Sequence, residues 1–171
     1  MAKAVPLDLE RELLEAFQQS GLVTEYLASV VPGELWQKDP PSGRGRTIAG
    51  MVAHIQSVRR MFARMGGAEP ELPALDRKRL TPREAQKALH QSTEALLTLF
   101  EAALAARKAR VKGMPRRMVN MVAYLMQHDA HHRGQICLLA RDLGHKFRKE
   151  DIMRLWGWKA LPEAGRIGGR G

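Results

Sequence analysis

The sequence predicts an all-α fold, a four-helix bundle closed by a short C-terminal helix or turn. Three observations carry that reading. Apolar residues recur at helical spacing through four long segments, no segment alternates as a strand does, and loops rich in glycine and proline separate the four. Four amphipathic helices bury their stripes most simply against one another.

Each element has its own signal. Residues 8–29 carry a stripe of Leu9, Leu13, Leu14, Phe17, Val23 and Leu27, with Gly21 as a weak point. The segment VPGELWQKDPPSGRG, 31–45, reads as a long loop, and a second helix follows from about Thr47 to Met65 until GGAEPELPALD ends it. LTPREAQ then gives the strongest helix start: Thr81 as N-cap, Pro82 at the first helical position and Glu84 completing a capping box. That third helix is expected to reach Arg107. After KGMP, Pro115 begins a fourth helix that extends to Leu143, with Gly144 as its cap. The piece FRKEDIMRLWGW forms a last helix or turn packed by Trp156 and Trp158. One domain is therefore expected over residues 1–160, with 161–171, which have little to bury, as a flexible tail.

Composition narrows the function classes. The 171-residue chain has one cysteine, Cys137, which excludes an intrachain disulfide framework and fits a reducing compartment. Its first residues, MAKAVPLDLERELL, lack the apolar core of a signal peptide, and charges interrupt every long apolar run; a cytoplasmic protein with no membrane partner is expected. The formal charge of +10 raises the question of nucleic acid. Against it, the basic residues are scattered from RGR at 44–46 to HKFRK at 145–149, and aromatics are 5%. With no nucleic-acid-binding motif either, a solvated basic surface is the better account.

The histidines are more informative. Three of the six fall within QHDAHHRGQ, residues 127–135. At about 100° per residue, His132 falls inside the apolar face formed by Met118, Met121, Leu125, Ile136 and Leu139. His128 falls at the edge of that face, and His131 points away from it. His128 and His132 are thus an i,i+4 pair aimed into the bundle. On the second helix His54 shares the side of Met51, Val58 and Phe62. One inward histidine is commonly a satisfied core residue. Three in one core, two of them one turn apart, favour a metal, because buried polar groups must be satisfied. A three-imidazole set leaves coordination positions open, the arrangement of a catalytic rather than a structural site. Asp129 lies close enough to the face to bond a buried imidazole, and Gln135 could bond a ligand's second nitrogen or line the pocket. Arg133 suits a bridge to a neighbouring helix or subunit, and Gly134 a close approach. Cys137, on the far side of the wheel, reads as packing. The Glu-x-x-His pairs of di-iron bundles and the His-Glu-x-x-His of metalloproteases are both missing.

YLMQHDAHHRGQI resembles the fourth-helix signature of the DinB-like (DinB/YfiT-like) metalloenzyme family, in which His-x-x-x-His-Arg-Gly-Gln closes a metal site. GRTIAGMVAHIQSVRRMF is similar to that family's second helix, whose single histidine supplies the remaining ligand. The resemblance covers roughly residues 5–155, with the two histidine segments its specific part. It implies a four-helix bundle, often a homodimer, with one divalent metal on His54, His128 and His132: nickel or zinc first, iron or manganese as further candidates. It also implies reactions of thiol-dependent transferases or hydrolases, using a low-molecular-weight thiol and a small electrophilic substrate. The residues themselves leave a second class open, a non-enzymatic metal-binding module of stress-related assembly. For the homodimer there is a second argument, a broad small-residue surface on the third helix (Ala85, Ala88, Ala102, Ala103 and Ala106 beside Leu89, Leu96 and Leu99) suited to a second copy.

Overall fold

The computed structural model describes residues 7–157, 159 and 161; Trp158 and the tail from 162 onward, for which packing and flexibility were expected, lie outside the described residues. It is all-helical, with no strand among the described residues. The elements are α1 (Leu9–Val30), a 3-10 turn (Gly33–Leu35), α2 (Ile48–Gly66), α3 (Pro82–Ala105), α4 (Met118–Asp142) and α5 (Lys149–Leu155). The helix starts follow local chemistry. Asp8, Thr47 and Thr81 accept hydrogen bonds from the first turns of α1, α2 and α3, and Thr81 and Glu84 form the full capping box.

Two boundaries differ from expectation. The third helix stops at Ala105 because Arg107 turns left-handed, with φ 53°, and the Lys108 amide returns to the Ala103 carbonyl. The fourth starts at Met118 rather than Pro115, the Met118 amide being bonded back to Ala109 at 2.9 Å. Gly144, with φ 91°, follows α4 in the left-handed conformation expected of a terminating glycine.

Both α1 and α2 pack against both α3 and α4, whereas α1 with α2, and α3 with α4, touch far less. The four helices therefore alternate round the bundle, and the segments 31–47 and 106–117 cross its diagonals. The apolar core divides in two. One half gathers Leu27, Trp36, Ile48, Ile55, Leu89 and Ile136; the other gathers Phe17, Phe62, Leu96, Phe100, Met121 and Leu125. Buried polar side chains connect the four helices between them: Ser20 and Thr24 of α1, Arg59 of α2, Ser92 and Thr93 of α3, Asp129 of α4.

Arg59, fully buried, is the hub of this layer. Its Nη1 donates to the Leu89 carbonyl at 3.1 Å and to Thr93 Oγ1 at 2.9 Å, while Nε and Nη2 both donate to Asp129 Oδ2. From α4 the half-buried Arg133 reaches α1, donating to the Ser20 carbonyl at 3.2 Å and Thr24 Oγ1 at 2.9 Å, so it bridges neighbouring helices within one chain. Gly21 is not a weak point. A Cβ there would meet Thr93 Cγ2 and Oγ1 at 2.7 Å, so its missing side chain is what lets α1 close on the polar face of α3.

Much of the small-residue surface of α3 is consumed in the same way. Ala85, Ala88, Leu89, Leu96 and Ala103 are buried within the chain, leaving Ala102 and Ala106 exposed. Nor is α5 seated by Trp156, which is 72% exposed. A carboxylate docks it instead: buried Asp151 accepts from Tyr26 Oη of α1 at 2.6 Å and from Arg148 Nε at 2.9 Å. The Arg148 bonds outweigh burial and hold Asp151 down to about 2. No described helix is long and apolar enough to cross a membrane.

Candidate metal centre

The site lies where α2 faces α4, at the edge of the polar layer. His54 comes from the second turn of α2; His128 and His132 come from successive turns of α4. One nitrogen from each lies within 4.8 Å of the other two. The ring centroids are 5.2 Å apart for His54 and His128, 4.8 Å for His54 and His132, and 4.6 Å for His128 and His132, so the three rings converge on one point. His54 Nε2 and His128 Nε2 are 3.3 Å apart. Two ligands of a tetrahedral ion at ordinary metal–nitrogen lengths would lie about 3.3 Å from each other. In the metal-free protein the same distance admits a hydrogen bond between the rings.

The outer nitrogens are arranged to suit. Gln135 Oε1 lies 2.7 Å from His132 Nδ1, which therefore donates and leaves Nε2 as the free lone pair. Asp129 Oδ1 faces His128 Nδ1 at 3.6 Å; neither atom has another partner, and a small ring rotation would close the contact. Burial pushes the Asp129 carboxyl up, but Arg59, with its hydrogen bonds and the nearby Arg133, overcomes this and keeps it below the usual carboxylate range. Burial also lowers His54 and His132 from the ordinary imidazole value, with Arg46 and the neighbouring rings adding to it. Neutral imidazoles are what an incoming cation requires.

Tyr124 stacks on His128 with ring centroids 5.9 Å apart, and the Arg116 guanidinium lies 4.7 Å over Tyr124. His131 is exposed and outside the converging set, although its ring stands edge-on to His132. Gly134 permits no close approach: nothing lies within 4 Å of the Cβ it lacks. Cys137 is half-buried on the far side of α4, and burial raises its thiol, which makes it a poor nucleophile.

Arg59 went unrecognised in the sequence, grouped with the scattered basic residues. The buried side of α2 is formed by Ile48, Val52, Ile55, Phe62 and Ala63, while Met65 is exposed and Val58 only half-buried. A stripe drawn through Ile48, Ile55 and Phe62 would have run straight over Arg59 and marked it as an inward charge needing a partner. The same rotation leaves His54 half-buried at the stripe's edge.

The model of the DinB family matches residues 1–161 of the chain. No curated protein and no solved structure matches it.

Proposed function

The chain belongs to the DinB family, and on that premise we propose that it is a divalent-metal-dependent enzyme whose ion is held by His54, His128 and His132. Nickel or zinc would suit this all-imidazole set, with iron or manganese as further candidates. The observation that carries the reading is the convergence of three imidazole nitrogens within 4.8 Å of one another. Such an ion would supply Lewis acidity toward a bound thiol or water.

Between the two reactions, thiol-dependent transfer is favoured over hydrolysis. Asp129, the one carboxylate beside the cluster among the described residues, is buried and ion-paired to Arg59 through Oδ2, which makes it a weak base toward a substrate, while its Oδ1 would orient His128 once the ring turns to it. A thiol, with an ordinary pKa of about 8.5, releases its proton without such a base far more readily than water at about 15.7. Gln135 would hold the tautomer of His132, and Tyr124 would shield one face of His128.

Elemental analysis of protein purified without an affinity tag is expected to find about one nickel or zinc per chain. Consumption of a small electrophile by a low-molecular-weight thiol should stop on chelation and return with the metal. Protein that stays metal-free after exposure to both ions would overturn the proposal.

A homodimer belongs to the same proposal. With most of the α3 surface consumed, its contact would fall on exposed apolar residues such as Met61, Met65 and Leu138. Light scattering that holds at the one-chain mass of 19.2 kDa into the high micromolar range would rule it out.

A further inference from the structure

The charges around the three imidazoles are unbalanced. Gly50 and His54 are four residues apart on α2 and share one side of it, and Arg46 lies just before the helix's N-cap, Thr47. A Cβ on Gly50 would meet Arg46 Cβ at 3.3 Å and Cγ at 3.8 Å, so the arginine stem lies against the glycine, on the side that leads to His54. Among the described residues Arg46 is exposed and has no hydrogen-bond or ion-pair partner, in contrast to Arg59 and Arg133, which are bonded within the bundle. On the other flank, Arg116 is stacked over Tyr124, which is stacked on His128. The carboxylate beside the cluster, Asp129, is taken by Arg59. A divalent ion at the three histidines would add two further positive charges to a site with no free carboxylate among the residues described around it.

We propose that this site is built for an anionic ligand, a small thiol or electrophile carrying a carboxylate, and that Arg46 is the residue that recognises the carboxylate. A guanidinium presents paired N–H donors that match a carboxylate's two oxygens, so the contact fixes orientation as well as charge. The ligand's reactive atom would face the histidines while its carboxylate pairs with the arginine. The inference rests on the metal-site proposal and extends it to substrate class.

The test compares two small thiols, mercaptoacetate and 2-mercaptoethanol, titrated anaerobically into cobalt-loaded protein and followed by the visible absorption of the cobalt. Arg46→Met should bind cobalt as the unmodified protein does, yet lose roughly ten- to hundredfold in affinity for mercaptoacetate with little change for 2-mercaptoethanol. Arg46→Lys should restore part of the loss. Unchanged mercaptoacetate affinity in Arg46→Met, or an equal loss for both thiols, would overturn the inference while leaving the metal site standing. Failure of the unmodified protein to take up cobalt would remove the metal site and this inference together.

Discussion

Asp129→Ala is expected to cost the fold about 3–5 kcal/mol, out of the roughly 5–15 kcal/mol typical of a whole domain. The loss comes less from the missing attraction than from what remains. Arg59 is fully buried, and it would keep its neutral acceptors on α3 but lose the carboxylate with which it is ion-paired. Replacing both partners by apolar residues, as in Arg59→Met with Asp129→Leu, should recover much of the loss, because no buried charge is then stranded. Urea unfolding of the two single variants and the double variant measures this directly. A loss below about 1 kcal/mol in Asp129→Ala would mean that water reaches Arg59. The pH dependence has a definite sign. Asp129 is held below its ordinary value, so its contribution is present above the usual carboxylate range and is lost as pH falls through the depressed folded-state value.

The second large effect concerns metal retention. His132→Ala removes one of the three proposed ligands and should reduce bound metal sharply, by more than the roughly ten- to hundredfold in affinity that an outer-shell partner costs. Gln135→Ala, which frees His132 Nδ1 but keeps all three ligands, should fall in that smaller range. His131→Ala should leave stoichiometry near that of the unmodified protein, since the ring is exposed and outside the converging set. Elemental analysis of the three variants after identical loading orders them. Equal losses in His131→Ala and His132→Ala would mean that the wrong pair has been chosen on α4.

What could be read from the sequence was whatever depends on neighbours along the chain. The capping box at Thr81 is settled within four residues, and the inward turn of His128 and His132 follows from the spacing of Met121, Leu125, Ile136 and Leu139 around them. The relation between elements was hidden. Gly21 looked like a flaw in α1 because Thr93, which needs the space, lies in another helix. The alanines of α3 looked available to a second copy because α1 and α2, which cover them, cannot be placed by periodicity. Arg59 was obscured by averaging: arginine is usually solvated, and Met51 and Val58 pulled the estimated stripe of α2 away from it. Trp156 misled in the other direction, since a large aromatic ring suggested packing where a carboxylate does the docking.

The two nitrogens that lie 3.3 Å apart, on His54 and His128, belong to residues 74 positions apart, whereas His128 and His132 are neighbours on one helix. A chain that has lost its tertiary structure still keeps the α4 pair near each other, and so retains a weak chelator; only the packed bundle can add His54. A bound metal would therefore add to folding free energy by mass action, and its leverage would depend on how much tighter the three-nitrogen set binds than the two-nitrogen remnant. Any cation that is content with two imidazoles would bind both states and stabilise neither strongly. His54 is thus the histidine through which metal supply in the cell would be converted into lifetime of the folded chain.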